Sequence, residues 1–209
     1  MPDLLADFLS RQITCARIAI IIDATASREP TWDMAAKLQG EMFEQVAKLG
    51  GLEVQLIYYR GLNECQRSPW MNDGPSMARL MSNVMCRAGM TQIHRALGYV
   101  RQEHQSKKIA AAVFVGDAME EDHGELCDAA AGLGVPLFMF QEGDDEYVAK
   151  TFSQMARLTN GAHCRFEPGA ARQLAELLRA VAAFATGGTK ALRDLNTAGA
   201  RLLLGKVKE

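Results

Sequence analysis

The sequence predicts an α/β protein: a three-layer, doubly wound fold with a mostly parallel central sheet and one short antiparallel edge strand. Three observations carry that expectation. The apolar runs "IAIII" (Ile18 to Ile22) and "IAAAVFVG" (Ile109 to Gly116) lack the alternation of a half-exposed strand, as strands covered by helices on both faces do. Helical and extended periodicities alternate along most of the 209 residues, the pattern of a parallel sheet with crossover helices. Both runs end in an aspartate, Asp23 and Asp117. Right-handed crossovers bring such strand ends to one edge, where open α/β sheets bind ligands.

Each element follows from periodicity and punctuation. Residues 1 to 16 read as a short amphipathic helix with Leu4, Leu5, Phe8 and Leu9 on one side. Residues 17 to 22 are the first buried strand. From Pro30 to Leu49 the apolar stripe Trp32, Ala35, Ala36, Leu38, Met42, Phe43, Val46 is helical, and Gly50-Gly51 stops it. "LEVQLIYYRG" is a second strand, and "NECQRSPW" its short antiparallel partner, confined to the edge by Pro69. "NDGP" is a turn. Helices are expected over 76 to 87, 92 to 105, "GELCDAAAGLG", 146 to 159 and 169 to 185. Strands are expected over 108 to 117, 135 to 140 and "HCRFE". The chain then divides into an N-terminal helix (1–16), the α/β domain (17–186) and a helical extension (187–209) beginning at the Gly187-Gly188 hinge. With Leu192, Leu195, Leu202 and Leu203, the extension either docks on the domain's own surface or serves a partner.

Composition narrows the function classes. The net charge is -2, from 23 basic and 25 acidic residues, without the basic excess of a nucleic-acid binder. No apolar run approaches the ~20 residues of a membrane span, and the start "MPDLLADFLS" has no signal-peptide pattern. Five cysteines, none in a CxxC pair, read as reduced thiols of a cytoplasmic protein. His123 with Cys127 and His163 with Cys164 lack the further ligands of a zinc site.

The chemistry lies in "DATAS". Alternate residues of an extended segment point the same way, so Asp23, Thr25 and Ser27 can turn three oxygens toward one point. Hard oxygen donors suit magnesium, which takes six and usually keeps waters among them. Asp117 adds a second carboxylate, and Thr91, from a loop, a further hydroxyl. A second reading stands beside this one: Thr25 and Ser27 cap the following helix, and Asp23 accepts backbone amides.

These residues carry a resemblance. The chain resembles the von Willebrand factor A (VWA) domain family over roughly residues 15 to 186, in an intracellular, bacterial-type form. The family's metal-ion-dependent adhesion site (MIDAS) has three sequence parts. D-x-S-x-S corresponds to Asp23-Ala24-Thr25-Ala26-Ser27, the loop threonine to Thr91 in "AGMTQIHRAL", and the aspartate of "TDG" to Asp117 in "VGDA". Thr25 replaces the usual serine, and Gly116 and Ala118 replace the threonine and glycine around Asp117. The resemblance implies a protein-interaction module rather than an enzyme. Its Mg2+ (or Mn2+ or Ca2+) would be held by Asp23, Thr25, Ser27, Thr91 and Asp117 and completed by an acidic side chain of a partner protein. An AAA+ ATPase or similar assembly is among the partners implied. Arg28, Glu29, Glu120, Glu121 and Asp122 form the expected rim, although "MEEDHGE" also reads as a solvated helix start.

Two rivals keep the strand-end aspartates. A haloacid-dehalogenase-like, magnesium-dependent phosphatase would use Asp23 as nucleophile and "GDAMEED" for metal. It lacks the second aspartate two residues on and a lysine at the strand ends. A metal-free VWA scaffold would bind partners through helix faces. Nucleotide-binding glycine motifs are absent.

Overall fold

The computed structural model describes residues 15–29, 52–167 and 170–207. The helices expected over 1 to 16 and 30 to 49 fall outside these residues, apart from Cys15 and Ala16, and Ala16 already belongs to the first strand.

Six strands form one sheet: β1 (Ala16–Asp23), β2 (Leu52–Arg60), β3 (Glu64–Arg67), β4 (Ala111–Gly116), β5 (Leu137–Glu142) and β6 (His163–Phe166). Their order is β3-β2-β1-β4-β5-β6. Every pairing is parallel except β2 with β3. The antiparallel edge strand is therefore the "NECQRSPW" segment, ending before Pro69. The helices are α1 (Gly74–Asn83), α2 (Ile93–Ser106), α3 (His123–Ala131), α4 (Glu146–Leu158), α5 (Ala171–Leu195) and α6 (Ala198–Leu204).

Alternation along the central strands explains the two covering layers. Ile18, Ile20 and Ile22 of β1 face one core with Met77 and Met81 of α1, Leu174 and Leu177 of α5, and Leu203 of α6. Ala19 and Ile21 face the other core with Leu97 of α2, Leu126 of α3 and Phe152 of α4. Each buried isoleucine contributes about 1.5–3 kcal/mol relative to exposure. Hence β1 carries no polar residue between Arg17 and Asp23.

Side-chain caps set the starts of several helices, and at α1 the start differs from expectation. Asp73 Oδ1 accepts the Ser76 amide at 2.8 Å, so "NDGP" starts α1 rather than preceding it as a separate turn. That helix stops at Asn83, short of the expected residue 87, and Val84 is extended. Asp122 and Asp145 cap α3 and α4 in the same way, each cap being worth ~0.5–2 kcal/mol. The helix expected over 169 to 185 continues to Leu195, with a break at Gly187 (φ -146°) and Gly188 (φ 62°). Beyond it, Leu192, Ala200 and Leu203 are buried in the same core as Leu174. Among the described residues no helix is long and apolar enough to cross a membrane.

Candidate functional site

Asp23 closes β1 at the carboxyl edge of the sheet, level with Tyr59 of β2, and is fully buried. Its two carboxylate oxygens are held differently. Oδ1 accepts the Thr25 amide at 2.8 Å, and Oδ2 accepts the Tyr59 hydroxyl at 3.0 Å. Burial pushes the Asp23 carboxyl up to about 6; the charge of Asp117 adds to the rise, while hydrogen bonding by Thr25 and the Arg28 guanidinium oppose it. The same burial, with the charges of Asp23 and Glu121, drives the Tyr59 hydroxyl well above its ordinary range, so it remains a donor.

The chain then makes a short 3-10 turn, Ala26–Arg28. Thr25 stands at its start without capping it through the side chain. Its hydroxyl lies 3.1 Å from that of Ser27, which is exposed. Thr25 thus does not cap this turn, while the Asp23 carboxylate does accept a backbone amide. Any cap on residues 30 to 49 lies outside the described residues.

Asp117 follows the last residue of β4, and β4 is β1's other neighbour. It reaches the same edge as Asp23, and its Oδ1 is buried without a hydrogen-bond partner among the described residues. The residue before it has little room for a side chain. A Cβ at Gly116 would meet the Phe114 ring at 2.7 Å and the Asp23 Cβ at 3.1 Å.

The loop carrying Thr91 is tied to the same edge by the backbone. Arg87 donates its amide to the Ala24 carbonyl at 3.0 Å and accepts from the Gly61 amide at 3.2 Å. Gly89 fits only without a side chain, because a Cβ there would lie 2.0 Å from the Gly61 carbonyl oxygen. Thr91 itself is engaged: its hydroxyl donates to the Glu121 carboxylate and accepts the Glu120 amide at 2.9 Å. The Glu120 carboxylate accepts the Thr91 amide at 2.6 Å, and Glu121 accepts the His94 amide at 3.2 Å. Within α2 only the His94 amide is taken, by Glu121, while the cap residue Gln92 makes no side-chain cap and Glu120 takes the Thr91 amide ahead of the helix.

The expected rim needs two corrections. Arg28 is 1% exposed and turns inward. Its Nε donates to Glu142 Oε2 at 2.9 Å, and a terminal nitrogen donates to the Asp23 carbonyl at 2.9 Å. Asp122 is consumed as the α3 cap. Sequence reasoning missed Tyr59 and Glu142. Tyr59 is the more findable of the two, since "LIYYR" places an aromatic hydroxyl at the end of the strand beside β1.

The donors fit a hard cation in kind: two carboxylates, one with an unpartnered inner oxygen, and hydroxyls that keep a lone pair beyond the bonds described. Among the described residues no group of three or more His, Cys, Asp or Glu side chains is disposed to hold a metal, so hydroxyls are essential to any such set.

Solved structures match the chain in fold. A von Willebrand factor type A protein from Catenulispora acidiphila superposes over 82% of the chain with TM-score 0.68 at 17% identity, which is 43% of that protein. The pilus adhesin SpaC from Lactobacillus rhamnosus GG, in an open conformation, matches over 84% with TM-score 0.63 at 10% identity, 30% of its own length. The SpRpn10 VWA domain matches over 77% with TM-score 0.61 at 15% identity, 95% of that domain. The chain thus spans less than half of the first two and nearly all of the third. No protein-family model and no curated protein sequence matches. At these identities the likeness establishes the fold, which is that of a von Willebrand factor A domain.

Proposed function

We propose that the chain is a protein-interaction module whose carboxyl edge binds a divalent cation, Mg2+ before Mn2+ or Ca2+, and through it an acidic side chain of a partner protein. One observation carries the reading: Asp117 presents a buried, unpartnered carboxylate oxygen beside the Asp23 carboxyl. The Asp117 charge adds to the rise of the Asp23 carboxyl, and a cation between the two would relieve that repulsion. Asp23, Thr25, Ser27 and Asp117 would hold the ion, with Thr91 offering the remaining lone pair of its hydroxyl. A bound divalent cation supplies positive charge and an open coordination position for an incoming carboxylate.

The chain's own residues prepare that position. Tyr59 and the Thr25 amide fix the Asp23 carboxylate, and Arg28 fixes its carbonyl. Glu120 and Glu121 hold the Thr91 loop against the α3 side of the edge. Binding is favoured over turnover because Thr25 stands two residues after Asp23, where a haloacid-dehalogenase-like phosphatase carries its aspartate acid. Five free cysteines suit a reducing compartment such as the cytoplasm. The pilus setting of the SpaC adhesin is a property of that protein and is not carried over to this chain.

The test is isothermal titration with magnesium and manganese, paired with affinity capture from lysate with and without EDTA. Saturable binding lost in Asp117→Ala, with chelator-sensitive capture of a partner, supports the proposal. Failure of either ion to bind at millimolar concentration turns the reading to the metal-free scaffold. Asp23-dependent hydrolysis of a phosphate ester would turn it to the phosphatase.

A further inference from the structure

We propose that the outer edge of β6 is a second docking site, independent of the cation site, which takes an extended acidic peptide of a partner protein as an added strand.

β6 is the last strand in the sheet order. Its register against β5 fixes which backbone groups are spent. Met139 pairs with His163, with the Met139 amide donating to the Ala162 carbonyl at 2.9 Å and the Gly143 amide to the Phe166 carbonyl at 3.0 Å. In a parallel ladder the even-numbered residues therefore bond inward, and His163 and Arg165 direct their N–H and C=O groups away from β5. Among the described residues no strand lies beyond them. The Arg165 carbonyl meets only the Gln173 side chain, at 3.4 Å.

Among the described residues that edge borders an open groove. A groove of about 480 Å³ runs along His163, Cys164 and Arg165, walled by Lys150 and Ser153 of α4 on one side and by Leu202 and Lys206 on the other. β6 has four residues, ~13 Å at ~3.3 Å per residue, so a short extended segment matches its length. The groove is cationic. Arg165 is paired with Glu146 at 2.9 Å, whereas Lys150 and Lys206 make no ion pair among the described residues. Charge complementarity selects an acidic occupant, and the free backbone groups select an extended one.

The groove's chemistry is that of binding. Burial lifts the Cys164 thiol to about 12 and, with Lys206 and Arg165, holds His163 down to about 4. The adjacent thiol and imidazole are therefore both neutral and unsuited to act as nucleophile and base. The competing role for these charges is protective, since edge lysines and arginines also deter strand pairing.

The experiment uses the full chain in EDTA, so that it does not depend on the cation site. The probe is a fluorescein-labelled heptapeptide alternating glutamate and valine, read by anisotropy. Saturable binding is expected, weakened about tenfold by Lys150→Glu with Lys206→Glu and abolished by N-methylation of alternate peptide nitrogens. Hydrogen exchange at the His163 and Arg165 amides should slow on binding. If the double variant fails to fold by circular dichroism, Lys150→Gln with Lys206→Gln replaces it, and a weaker version of the same loss is expected. Absence of binding, equal binding of a lysine–valine heptapeptide, undiminished binding of the N-methylated peptide, or unchanged affinity in the charge variants would each overturn the proposal.

Discussion

Arg28 and Glu142 form a buried ion pair, Nε to Oε2 at 2.9 Å, with side chains 1% and 6% exposed. It joins the turn after β1 to the last residue of β5, two strands away in the sheet. The same guanidinium holds the Asp23 carbonyl. The loop bearing the candidate ligands is thus braced from beneath.

Removing one member of that pair leaves the other charge buried. Arg28→Met should destabilise the fold by about 3–5 kcal/mol, and adding Glu142→Leu should recover much of the loss. Urea denaturation of both variants checks this. A single variant costing under about 1 kcal/mol would show that water replaces the partner.

Asp23 should shape the pH profile. Its folded value, about 6, lies above the ordinary 3.8, so its contribution to stability is fully present below 3.8 and lost as pH rises through about 6. In EDTA the wild type should lose stability between about pH 4 and pH 7, and Asp23→Asn should flatten that part of the curve. Thermal unfolding across this range measures it. An identical slope in both proteins would mean that Asp23 titrates normally.

Cation binding should be visible as stabilisation. At neutral pH, magnesium at about 100 times its dissociation constant should add ~2.7 kcal/mol to the wild type. The same addition should leave Asp117→Ala unchanged, with its circular dichroism intact. Equal stabilisation of both proteins would place the ion elsewhere.

Gly116 has little room for a side chain. Gly116→Thr, which restores the usual residue, should cost about 1–3 kcal/mol by overpacking, since its Cβ would press on Phe114 and Asp23. Thermal denaturation would reveal it, and a neutral or stabilising outcome would mean that Phe114 swings aside.

The sheet is legible in the chain because burial on both faces writes itself into composition. "IAIII" and "AAVFV" admit few other structures, and both deliver an aspartate to the same edge. The short β3 is legible from Pro69. What escapes are interactions set by tertiary register. Nothing local in "SRE" says that Arg28 folds inward to meet Glu142, 114 positions on. "RAGMT" is readable as a loop ahead of a helix, and Thr91 lies in one. Its engagement by Glu120 and Glu121 depends on how α2 and α3 start side by side, which one-dimensional spacing does not encode. The cap Asp73 is readable in principle, but an aspartate beside glycine and proline signals a turn as strongly as a helix start.

The kink at Gly187 and Gly188 lets the helix double back, so that Leu192, Ala200 and Leu203 complete the hydrophobic layer begun by Leu174 and Leu177. A protease that nicked the two glycines would therefore do more than trim an idle tail: it would part Leu192, Ala200 and Leu203 from the layer they share with Leu174 and Leu177 and uncover part of that flank of the sheet.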